Sequence, residues 1–238
     1  AALQAVSSLA LNVQTVGTLP MVAEIVGVGL AAGPQHSWYI PVGHIEGGDQ
    51  LAWPTVRDKL APLMADGKIA KWSHNAKFHE MVLARNGLEV EGLAFDTMIA
   101  AYLLESNQRA FALRDLAWNK LQQEMPAAST LLGTGRSATT MDRLPVETVG
   151  QYARDEAVAV CRLVPILDRE LNEAGLGDLF RNVELPLVPV LATLERNGIA
   201  VDVPYLHAMS KELANRLAEI EREAYASVGH EFNINSPT

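Results

Sequence analysis

Three short apolar runs open the chain, "SSLALNVQTV", "MVAEIVGVGLAA" and "HSWYIPVG", broken by the turn signals "GTLP" and "AGPQ". Runs of this length between Gly/Pro turns predict an antiparallel meander of strands. In the first run Leu9, Leu11 and Val13 alternate with Ala10, Asn12 and Gln14, so two amides project together from one face. Taken by itself, that stretch predicts a solvated polar face.

The period then changes. "TVRDKLAPLMADG" reads as a helix ended by Gly67, "KIAKWSHN" as a strand, and "AKFHEMVLARNG" as a helix ended by Gly87. "FDTMIAAYLLES" and "ALRDLAWNKLQ" continue at helical spacing, whereas "PAASTLLGTGRSATTMDRLP" has turn residues, little periodicity and the character of a mobile loop. "VETVGQYARDEAVAVCRLVPILDRELNEAG" is a long helix with Val149, Tyr152, Ala153, Ala157, Val160, Leu163 and Val164 near one stripe, and Pro165 is a candidate kink. "ELPLVPVLATLERNG" predicts a helix with Pro186 in its first turn and Gly198 at its end. A last helix carries Leu206, Met209, Leu213, Leu217, Ile220 and Ala224 as a narrow seam that needs a partner surface.

With 238 residues, 49% of them hydrophobic, the chain can bury one large α/β domain and an appendage. The change of texture near residue 180 puts the expected boundary there: 1–180 for the first domain, 181–238 for an incomplete second. A net charge of −9 opposes any strong sequence-independent grip on phosphates. Cys161, the one cysteine, sits in an apolar helix pattern and reads as a core thiol in a reducing compartment. No apolar run is long enough for a bilayer and no basic signal-peptide start is present, so the expectation is a cytoplasmic protein. The abrupt ends suggest a fragment.

Three places carry possible chemistry: Asn12 and Gln14 on the first strand, "NAKFHE" (75–80) opening a helix, and "YARDE" (152–156) in the long helix. Together they resemble the three motifs of the 3′–5′ exonuclease domain of bacterial DNA polymerase I, the family A polymerases, which read Asp-x-Glu, Asn-x-x-(Tyr/Phe)-Asp and Tyr-x-x-x-Asp. "GLEVEGLAFDTMIAAYLL" looks like the same family's connecting segment; "NVELPLVPVLATLERNGIAVD" and "EFNINSPT" look like its passage into the polymerase thumb.

The resemblance covers essentially the whole chain. It implies an α/β fold, an RNase H-like mixed sheet flanked by helices and followed by a helical appendage. It also implies a role in DNA replication and repair, with the nucleotidyl transfer site outside this chain.

The frame is kept and the charge is lost. Asn75, Phe78 and Tyr152 match the family, but Asn12, Gln14 and His79 stand where it has Asp, Glu and Asp, and Glu156 stands for the last Asp. Active relatives are expected to use two magnesium ions. Two divalent ions 4 Å apart repel by roughly 17 kcal/mol at an effective dielectric of 20, as an upper bound. Several carboxylates are needed to offset that. One glutamate is not enough, so magnesium binding and exonuclease activity are expected to be lost, leaving a structural role beside the rest of the polymerase chain and weak or absent DNA binding.

Two alternatives are an exonuclease rewired around His79 and Glu156 for a softer metal, and a module guiding single-stranded DNA. "GTGRSATT" lacks the Gly-Lys-Ser/Thr ending of a phosphate loop, although its Arg136 could touch DNA. The four tryptophans read as packing.

Overall fold

The computed structural model describes residues 6–46, 48–107, 110–135 and 138–236. β1 (Ser8–Val16), β2 (Glu24–Ala31) and β3 (Ser37–Pro41) form the expected antiparallel meander. β4 (Ala70–Ser73) then joins β1 in parallel and β5 (Leu93–Asp96) joins β4 in parallel, giving one mixed sheet in the order β3-β2-β1-β4-β5. β1 therefore has neighbours on both edges.

Helices cover both faces of the sheet. On one side Leu9, Leu11 and Val13 of β1 pack with Val28 and Leu30 of β2 against α1 (Trp53–Met64) and α2 (Ala76–Arg85). On the other, Ala10, Ala31 and Phe95 pack against α3 (Thr97–Leu104), α4 (Leu113–Leu121) and the long α6 (Val146–Glu173). The alternation read from β1 holds, but its second face is not solvated: Asn12 and Gln14 are 5% and 6% exposed beneath α6. A strand in the middle of a three-layer sandwich is buried on both faces, so polar residues on it signal a buried polar site.

β5 escapes a periodicity reading. Its four residues run directly into α3, and Asp96 ends the strand and caps the helix by accepting from the Met98 and Ile99 N–H groups. The stretch read as a loop at 126–145 holds a short helix, α5 (Ala128–Leu132), and a 3₁₀ turn (Met141–Arg143), with Leu132, Met141 and Leu144 in an apolar cluster around Val26 and Val149. Arg136 lies outside the described residues. Cys161 is buried, with its thiol directed at Ala31 O.

Pro186 does not open a new helix after a break. A short turn α7 (Gly177–Leu179) passes through a π-helical stretch, Phe180–Glu184, straight into α8 (Leu185–Asn197). The widened turn lies just ahead of a residue that has no N–H to donate, where a regular helix would lose a bond and meet the proline ring. Phe180, Leu185, Val188 and Ala192 are buried, and Arg196 pairs with Glu89 at 3.6 Å. The first compact unit accordingly extends past residue 180, over Ala1–Arg196.

The second unit, Asn197–Thr238, consists mainly of α9 (Val203–Val228). Asp202 caps it by accepting from Tyr205 N at 3.0 Å, and Gly229 at φ +79° ends it. Among the described residues, no helix is long and apolar enough to cross a membrane.

Candidate functional site

The polar groups of β1 meet α6 where β2 leaves room. Gly29 is paired with Asn12 across the ladder, and a Cβ there would come within 2.4 Å of Asn12 Oδ1 and 2.9 Å of Ala153 O. The absence of a side chain lets α6 approach, and Asn12 Nδ2 donates to Ala153 O at 2.7 Å. Gln14 Nε2 donates twice, to Asn12 Oδ1 at 3.3 Å and to Glu156 Oε2 at 2.7 Å. Tyr152, one turn before Glu156, lies close enough for its hydroxyl to be electrostatically coupled to the same carboxyl.

α2 supplies the other wall. Asn75 adopts φ 65°, ψ 54° as its N-cap residue, a left-handed conformation that asparagine tolerates better than most residues. Phe78 packs into the cluster on the α1/α2 side of the sheet, and its ring meets His79 edge-on with centroids 5.7 Å apart. Ser73 Oγ donates to Leu11 O at 2.9 Å, so the 2.8 Å contact between Ser73 Oγ and His79 Nδ1 needs the proton on Nδ1. His79 is thereby fixed in one tautomer.

Asn12, Asn75, His79 and Glu156 line one cavity of about 190 Å³, together with His74, Leu113 and Val160. The structure thus links Asn12, Gln14 and Glu156 by hydrogen bonds, with Tyr152 beside Glu156 and with Asn75 and His79 lining the same cavity. Phe78 supports His79 from the core side.

Electrostatics follow burial. It pushes the His79 pKa down to about 3, helped by His74, and that of His74 down to about 4, partly opposed by the Phe111 backbone carbonyl. Both imidazoles are neutral at pH 7. Burial pushes the Glu156 carboxyl up, while the Tyr152 hydroxyl and the Gln14 amide pull it back. Tyr152 is itself pushed up, by burial first and then by Glu156.

Sequence reading missed Asp96. This carboxyl, 1% exposed, accepts from four backbone N–H groups: Ala76 at 2.6 Å, Met98 at 2.8 Å, Asn75 at 3.2 Å and Ile99 at 3.3 Å. It joins the N-termini of α2 and α3 and so sets the position of Asn75 and His79. "FDT" ahead of an apolar helical run is a capping signal and could have revealed half of this role. The bonds to Asn75 and Ala76, 21 and 20 residues away, leave no local trace in the sequence.

Among the described residues, no group of three or more His, Cys, Asp or Glu is arranged to hold a metal. The group that β1 turns toward Glu156 is the Gln14 amide N–H, a donor, whereas magnesium takes oxygen ligands.

Residues 11–160 match the family model described as DNA polymerase I, ribonuclease H-like domain. The chain is 38% identical over 232 residues to DNA polymerase I of Chloroflexus aurantiacus, covering 96% of this chain and 24% of that protein. It is 36% identical over 221 residues to DNA polymerase I of Synechocystis, covering 92% and 22%. It thus spans about a quarter of the length of the curated relatives it matches.

Among solved structures, it aligns with the POL domain of Pol1 from M. smegmatis in complex with DNA primer-template and dNTP. That match has a TM-score of 0.78 and 27% identity, over 99% of this chain and 36% of that one. Brucella melitensis NrnC with bound Mg2+ shares the fold at a TM-score of 0.63 and 20% identity, over 82% of this chain and 87% of that one.

Proposed function

Because this chain belongs to the DNA polymerase I family and carries its ribonuclease H-like domain, we propose that the domain is a non-hydrolytic module of a family A DNA polymerase, acting in DNA replication and repair. It serves as a structural body beside the rest of the polymerase chain in the cytoplasm. The observation that carries this reading is the 2.7 Å bond from Gln14 Nε2 to Glu156 Oε2.

Two-metal hydrolysis of a phosphodiester requires oxygens that hold the ions, an activated water and stabilisation of the leaving oxygen. Here an amide donor occupies the one carboxylate, a second amide is bonded to α6, and neutral His79 stands at the third position. This donor set does not fit magnesium. The same features disfavour the rewired-metal alternative, since His79 and Glu156 lack a further anionic partner in the cavity lining. Contact with DNA then belongs to the whole polymerase, and the acidic chain itself binds it weakly or not at all.

A labelled single strand incubated with purified protein in magnesium or manganese tests the reading. The expected result is no shortening from the 3′ end above a buffer control. Shortening that depends on metal and disappears in Glu156→Gln would overturn it, and a contaminating nuclease is recognised because it survives that substitution.

A further inference from the structure

Asn12 and Gln14 on β1 spend their amide donors on α6 and on each other. Asn12 Nδ2 bonds Ala153 O, and Gln14 Nε2 bonds both Asn12 Oδ1 and Glu156 Oε2. These bonds run from the central strand to the longest helix of the sheet domain, across the gap that Gly29 keeps free of a side chain.

We infer that this network is a clasp that ties β1 to α6 in place of a divalent ion, so that the chain keeps its site formed without magnesium. The inference rests on the non-hydrolytic reading and goes beyond it, from what the site does not do to what holds it together. The physical reason is local. Carboxylates gathered on β1 and α6 repel one another and need a cation between them. An amide brings its own positive end, and Gln14 turns that end to Glu156 at 2.7 Å. Were residue 14 a glutamate, an oxygen would face an oxygen at that separation, with no cation to mediate.

The test is a set of thermal melts of the whole chain in EDTA and in millimolar magnesium, with three proteins. Wild type is expected to melt at the same temperature in both. Gln14→Glu is expected to melt about 5–10 °C lower in EDTA, because it leaves two carboxylates face to face. The double variant Gln14→Glu with Glu156→Gln re-forms a donor–acceptor pair with its direction reversed, and is expected to recover most of that loss in EDTA.

If Gln14→Glu does not fold, the double variant is read alone and should melt within a few degrees of wild type. A wild-type melting temperature raised by magnesium would overturn the clasp, as would an unaffected Gln14→Glu or a double variant that recovers nothing. Failure here is distinct from failure of the functional reading. Magnesium-raised stability without strand shortening sinks the clasp alone, and manganese-dependent 3′ shortening that disappears in Glu156→Gln, with magnesium-indifferent melting, sinks the non-hydrolytic reading alone.

Discussion

Asp96 is fully buried and Glu156 half-buried at the wall of a cavity, and these two carboxyl groups of one domain are satisfied in different ways. Asp96 is surrounded by four backbone N–H groups from the starts of two helices. Glu156 accepts from a side chain, Gln14, with the Tyr152 hydroxyl close by. Backbone donors are part of the fold and must be answered whether or not the domain does chemistry. Side-chain donors can be exchanged along with the carboxyl they serve. The comparison teaches that one domain can hold a carboxyl either by its own backbone, as at Asp96, or by a neighbouring side chain whose identity the fold does not dictate, as at Glu156.

The largest effect expected from this contrast is at Asp96. Asp96→Asn keeps the shape but removes one acceptor oxygen and points an amide donor at N–H groups. It should cost about 3 kcal/mol, as for other buried groups left facing an unpaired partner. Denaturant unfolding, read as a shift of midpoint at unchanged slope, checks this. A loss below about 1 kcal/mol would mean that the helix starts do not depend on that carboxyl.

The effect at Glu156 should be smaller and change with pH. Glu156→Gln leaves an oxygen to accept from Gln14. Since the folded-state pKa of Glu156 is raised by burial, its stabilising contribution is fully present below its unfolded value of 4.5 and is lost as pH rises through the folded value. The variant should therefore lose little relative to wild type at acid pH, and the difference should move in the variant's favour toward pH 8. Melting curves of both proteins from pH 4 to pH 8 measure this. A difference that moves the other way would mean that Glu156 is stabilised as an anion, by a charge not identified in the network.

Much of this arrangement was legible in the sequence, and what was not has physical causes. The alternation of Leu9, Leu11 and Val13 against Asn12 and Gln14 placed two amides on one face of β1. Only the sandwich shows that this face lies under α6. β5 was hidden because four residues are too few to show a period and its last residue also caps α3. The positions of Asn12, Gln14, His79, Tyr152 and Glu156 came from the resemblance to the family's three motifs, whereas the bonds linking β1 to α6 span 141 and 142 residues and no local pattern records them. The continuity from Phe180 into α8 was misread because proline usually marks a helix start, and here a π-helical stretch precedes it.

The central claim, which carries the proposed function, is that amides and an imidazole stand where the resembled family motifs carry metal-binding carboxylates, and magnesium calorimetry tests it most directly. Wild type is compared with a variant restoring all four family carboxylates: Asn12→Asp, Gln14→Glu, His79→Asp and Glu156→Asp. The expected result is no saturable heat for wild type and saturable binding for the quadruple variant, which should also melt lower than wild type in EDTA and regain stability with magnesium. Saturable magnesium binding by wild type, or a quadruple variant that folds but binds none, would contradict the claim.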